Sequence, residues 1–160
     1  MGSNAANKPK ASQYLTSGKF KNIMIFIESD DYSHTIDTIV SGVTKSTRLQ
    51  NPRKDVIRTL YILRKLGLVE SEYDRESGIR IFKSAPFDRN NFPLDLSVMV
   101  EISEKIFNEM EASSSGSAMI ENLRKSLPDA DNNALEKTIE FLVSKKVIAR
   151  DPSGLKVKRI

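Results

Sequence analysis

From Gly18 onward, apolar residues recur at the spacing of one helix face. Phe20, Ile23, Met24 and Ile27 predict a first helix over Gly18–Ile27. Ile36, Ile39, Val40 and Val43 repeat the pattern within Thr35–Val43, with Ser33 or Thr35 available as N-cap. Asn51-Pro52 opens a third helix, because Asn can cap and Pro suits the first helical position, and Gly67 stops it. Two short apolar and aromatic runs, Leu68–Tyr73 and Ile79–Lys83, flank the polar turn Asp74-Arg75-Glu76-Ser77-Gly78 and predict a β-hairpin. Ser84–Asp95 holds two prolines and no period, so a domain boundary is expected there. Beyond it, helices are predicted over Leu96–Glu111, Ala118–Leu127 and Asn132–Lys146. A hairpin of Val147–Arg150 and Leu155–Ile160 closes the sequence.

The order of elements thus occurs twice. At an offset of 79 residues, Thr59–Val69 aligns with Thr138–Ile148, pairing Val56 with Leu135, Leu60 with Ile139 and Leu63 with Leu142. The expected organisation is a polar tail over 1–17 opening on an expression remnant, Met1-Gly2-Ser3. A first domain follows at 18–86, a linker at 87–95 and a second domain at 96–160. The longest apolar run, Ile23–Ile27, is far short of a membrane span, and no signal peptide precedes it. The absence of cysteine removes disulfides, thiolate metal sites and Cys nucleophiles, and fits a reducing interior.

Charge divides the two halves. Residues 18–86 carry 12 basic and 9 acidic groups, whereas residues 95–160 carry 10 and 11. The excess concentrates in Thr44–Leu68, with seven basic side chains and one acid. At about 100° per residue, Val56, Leu60 and Leu63 form one stripe while Lys54, Arg58, Tyr61 and Lys65 cluster opposite. A face of one sign suits polyphosphate. The equivalent positions of the second half, Asn133, Lys137, Glu140 and Ser144, are close to neutral. The single histidine, His34, has only Asp30, Asp31 and Asp37 nearby, a poor metal set. No phosphate loop, metalloprotease helix or nucleophile elbow occurs, so neither enzyme, metal nor cofactor is expected. On the last strand Leu155 and Val157 are expected to point inward and Lys156 and Lys158 outward, where lysine guards an edge.

Asp55–Lys83 resembles the third helix and wing of a winged helix-turn-helix domain, as in archaeal and bacterial transcription regulators. Leu60, Leu63, Leu66, Gly67, Leu68 and Val69 carry the likeness. The second half is similar in outline, so Gly18–Ile160 resembles two winged-helix domains in tandem, an α+β, mainly α class. The resemblance implies duplex DNA as partner, with Lys54, Arg58, Tyr61 and Lys65 in the major groove and Arg53 at the helix start. Arg75 and Arg80 would serve the wing. Thr44–Asn51 is longer than the usual turn, and this extra loop could present Lys45 and Arg48 to a backbone. The wide apolar girth of Leu96–Glu111 (Leu96, Met99, Val100, Phe107 and Met110) points to a homodimer or partner surface on the second domain. The expected role is transcription regulation, cytoplasmic at the nucleoid of a prokaryote. Asn132–Asp151 also looks like the C-terminal winged helix of the replication protein A middle subunit, and tandem winged helices likewise end the related telomere-capping proteins. That alternative makes the chain a nuclear scaffold for protein partners.

Overall fold

Helix α1 (Lys19–Glu28) forms where Phe20, Ile23, Met24 and Ile27 line one face, and the computed structural model buries all four. The structure describes residues 9–45, 47–128 and 131–160. Two units are distinguished, one through Asn91 and one from Phe92. Each is an α+β unit of three helices and one three-stranded antiparallel sheet, in the order helix, strand, helix, helix, strand, strand.

In the first unit, β1 (His34–Thr35) precedes α2 (Ile36–Val43), α3 (Pro52–Lys65), β2 (Val69–Asp74) and β3 (Ile79–Ser84). Thr35 caps α2, its hydroxyl accepting from the Thr38 N–H at 3.2 Å. Phe26 of α1 lies against α2 where Gly42 has no side chain, since a Cβ there would fall inside the ring. Asn51 stands at the start of α3 without a side-chain cap; the Asp55 carboxylate instead accepts from the Asn51 N–H at 3.2 Å. The end of α3 is a six-to-one turn: the Leu68 N–H donates to the Leu63 carbonyl at 2.9 Å around Gly67, at φ +83°. The sheet order is β1-β3-β2.

The second unit holds α4 (Leu96–Ala112), β4 (Ser117–Met119), α5 (Ile120–Lys125), α6 (Asn132–Ser144), β5 (Ile148–Arg150) and β6 (Lys156–Arg159). Asp95 caps α4, its carboxylate accepting from the Ser97 N–H at 2.9 Å. The end of α6 repeats the turn of α3, with the Val147 N–H donating to the Leu142 carbonyl at 3.0 Å. Here, however, Lys146 takes the left-handed conformation, at φ +61°.

Four expectations change. The strands β1 and β4 were not foreseen; β4 takes Ala118 and Met119, which were assigned to α5, because they pair with Val157 and Lys156. The tail expected over 1–17 is structured from residue 9. A single 3-10 turn, Ala11–Tyr14, buries Ala11 and Ser12, Leu15 is buried beside it, and Tyr14 lies 5.5 Å from Phe87. Residues 1–8 lie outside the described residues. The expected linker is likewise docked at both ends, Phe87 on Tyr14 and Phe92 on Phe141 at 5.4 Å. Finally, β6 is the central strand of β4-β6-β5, so Lys156 and Lys158 guard no edge, and Leu155 is exposed rather than turned inward.

Candidate nucleic-acid interface

Helix α3 owes its orientation to five buried residues, Val56, Thr59, Leu60, Ile62 and Leu63. They anchor it on one side, so the other side is fixed by helical geometry alone. Lys54 and Arg53 are exposed there, and Arg58, Tyr61, Arg64 and Lys65 are half-buried. The predicted cationic face is therefore assembled on one side of the helix. Two residues of this face escaped the sequence reading. Arg64 adds a sixth member, and Ile57, 42% exposed, stands among the cations. Its i, i+4 spacing from Tyr61 was the available signal.

The face is ordered by its own contacts. The Lys65 ammonium lies 5.4 Å from the Tyr61 ring centre and the Arg64 guanidinium 5.9 Å. Arg53 forms an ion pair with Asp37 of α2; both side chains are well exposed, so the pair is weak and open to exchange for another anion. Lys45 and Arg48 are exposed on the segment between α2 and α3, in which Ser46 lies outside the described residues. The Asn22 amide holds that segment to α1 by a hydrogen bond to the Thr47 hydroxyl.

The hairpin β2–β3 is less basic than expected. Residues opposite each other on antiparallel strands point to the same side. Tyr73 faces Arg80 and Ser71 faces Phe82. These residues continue the side on which Val69 and Phe82 are buried, and Arg80 donates to the Ser71 hydroxyl at 2.9 Å. The other side carries Glu70, Glu72 and Asp74, against Lys83, which lies 4.0 Å from Glu70. The Ser77 hydroxyl and the Glu76 N–H hold the Asp74 carboxyl below its ordinary value, so it stays charged. Apart from Lys83, paired with Glu70, the positive charge of the hairpin is Arg75 in the turn and Arg80 on the core side.

In the second unit, α6 buries Leu135, Thr138, Ile139, Phe141 and Leu142, and turns outward Asn133, Glu136, Lys137, Glu140 and Ser144. Glu136 is clamped by Arg150 at 2.7 Å and Arg124 at 2.9 Å, and the Arg150 hydrogen bond leads in holding its carboxyl below the ordinary range. Leu96, Met99, Val100, Phe107 and Met110 do not form a surface: each is at most 3% exposed. The girth of α4 is consumed inside the fold, where the helix packs against α5, α6 and β4.

His34 pairs through Nε2 with Asp30 at 2.9 Å, and its ring lies 5.1 Å from that of Phe26. Among the described residues, no three His, Asp or Glu side chains form a group able to hold a metal. A cleft of about 630 Å³ in the first unit is lined by Glu28, Asp30, Asp31 and Glu70 against Lys10 and Lys83, a balance that disfavours phosphate. Among the described residues no helix is long and apolar enough to cross a membrane. No family model, no curated protein and no solved structure matches this chain.

Proposed function

We propose that this chain binds duplex DNA as a tandem winged helix-turn-helix protein and acts in transcription regulation, with α3 of the first unit in the major groove. The observation that carries it is the outward side of α3, where Lys54, Arg58 and Lys65 sit with Arg53 and Arg64 around Tyr61. A helix of about 10–12 Å diameter fits a groove about 12 Å wide, and its cations then reach both phosphate walls. The element order supports the same reading. Each unit runs from its third helix directly into a hairpin, and on this reading Arg75 and Arg80 of the first hairpin would serve as its wing. Lys45 and Arg48, on the segment leading into α3, would meet the backbone.

The second unit enters this reading as a protein-contact module, because the outward side of α6 is close to neutral. With the five α4 side chains inside, self-association would have to use other residues. Sedimentation of the full chain decides whether it pairs.

Titration of the full chain against duplex DNA at several salt concentrations tests the proposal. If about five cations contact phosphates, log K against log[salt] should fall with a slope of roughly −4 to −5. A flat dependence, or no binding at low salt, overturns it in favour of the partner-recruiting alternative.

A further inference from the structure

We infer that α3 selects A·T-rich duplex by laying an apolar ridge, Ile57 and Tyr61, against thymine methyl groups; this rests on the duplex-binding reading above. The two residues are four apart, one above the other along the outward side. At about 100° per residue, Lys54, Arg58 and Lys65 fall on one flank of that ridge, and Arg53 and Arg64 on the other. The helix thus presents a greasy centre between two cationic rails. In a groove, the rails meet the phosphate walls and the centre meets the floor.

What the floor can offer Ile57 is limited. An aliphatic side chain makes no hydrogen bond. The major-groove edges of the four bases present donors, acceptors and a single apolar group, the thymine C5 methyl. Ile57 facing G·C would cover polar groups without satisfying them, a penalty on the wrong sequence as well as a gain on the right one. Tyr61 adds ring area to the ridge, steadied by Lys65 at 5.4 Å and Arg64 at 5.9 Å. A protein partner fits this face poorly, because the core of a protein interface is depleted of charge and Ile57 is ringed by cations. The second unit shows the contrast: Glu136 and Glu140 hold the positions equivalent to Ile57 and Tyr61.

The test compares two probes that share every base-pairing group, an alternating dA·dT duplex and the same duplex with uracil in place of thymine. The full chain should bind the thymine form about fourfold more tightly for each methyl covered, the ratio that burial of one such group supplies. Ile57→Ala should lower the thymine-to-uracil ratio by about fourfold, to the share that Tyr61 covers, while leaving the salt slope unchanged. That control also cancels differences of shape between the two duplexes, and Ile57 is exposed enough for the variant to fold. Equal affinity for both probes with a steep salt slope overturns the inference alone. A ratio unchanged by Ile57→Ala overturns the role of Ile57. Absence of binding to either probe overturns the duplex reading as well.

Discussion

Helices α3 and α6 bury the same five positions, 79 residues apart: Val56 and Leu135, Thr59 and Thr138, Leu60 and Ile139, Ile62 and Phe141, Leu63 and Leu142. Their outward sides differ in charge, that of α3 basic and that of α6 close to neutral. Where α3 shows Lys54, Ile57, Arg58 and Tyr61, α6 shows Asn133, Glu136, Lys137 and Glu140. The inward pattern specifies the frame and leaves the outward residues free to vary. Any difference in function between the units must therefore lie in side chains the fold does not need.

The largest expected effect separates the two faces directly. Arg58→Ala should weaken duplex binding by about 1–2 kcal/mol at low salt and make the salt slope shallower by about one, whereas Lys137→Ala should change neither. Equal losses in a binding titration would mean that both units engage DNA and that the charge contrast is without consequence.

The helix stops offer the next contrast. Gly67 and Lys146 occupy the same left-handed position, at φ +83° and +61°. Only a residue with a side chain is strained there, by about 1–2 kcal/mol. Gly67→Lys should destabilise by about that amount and Lys146→Gly should stabilise by about 1 kcal/mol, read from urea unfolding.

The buried threonines come third. The Thr138 hydroxyl donates to the Ala134 carbonyl at 2.8 Å, while the Thr59 hydroxyl has no partner among the described residues. Thr59→Val should raise stability by about 1 kcal/mol and Thr138→Val should leave it nearly unchanged. A loss from Thr59→Val would reveal a partner for its hydroxyl.

The smallest effect is pH-dependent. The folded-state pKa of Glu136 is lowered, so its pairing contributes stability above the ordinary carboxylate value and loses it as pH falls through the lowered one. Glu136→Gln should cost about 0.5–1 kcal/mol at neutral pH, given the partial exposure of the cluster. Thermal unfolding should find that difference gone in strong acid.

Helix positions were legible in the sequence because their periodic apolar residues are the ones the fold buries, and Thr35, Pro52 and Gly67 marked boundaries by local chemistry. The strands β1 and β4 were not. Two or three residues carry no period, and both strands exist only through pairing with β3 or β6. The same limit misplaced Lys156 and Lys158: a strand's rank in its sheet is a tertiary fact. At the candidate site, the basic face could be read from spacing. The acidic side of the first hairpin was equally legible, since Glu70, Glu72 and Asp74 alternate along β2, and only the placement of Lys83 opposite Glu70 needed the register of β2 on β3. The burial of the α4 residues depended on how many elements surround that helix, which girth alone does not reveal.

The two hairpins should also differ mechanically. In the first unit β1 meets β3 only at Ile81 and Phe82, so the ribbon outward from Tyr73 and Arg80 is two strands thick. In the second, β4 meets β6 from Lys156 to Lys158, and its ladder is backed along most of its length. A bare two-stranded ribbon is compliant, while a backed one behaves as a plate. Tyr73, Arg75 and Arg80 thus ride on a springy tip above a clamped root, and amide protection from hydrogen exchange should fall off from root to tip.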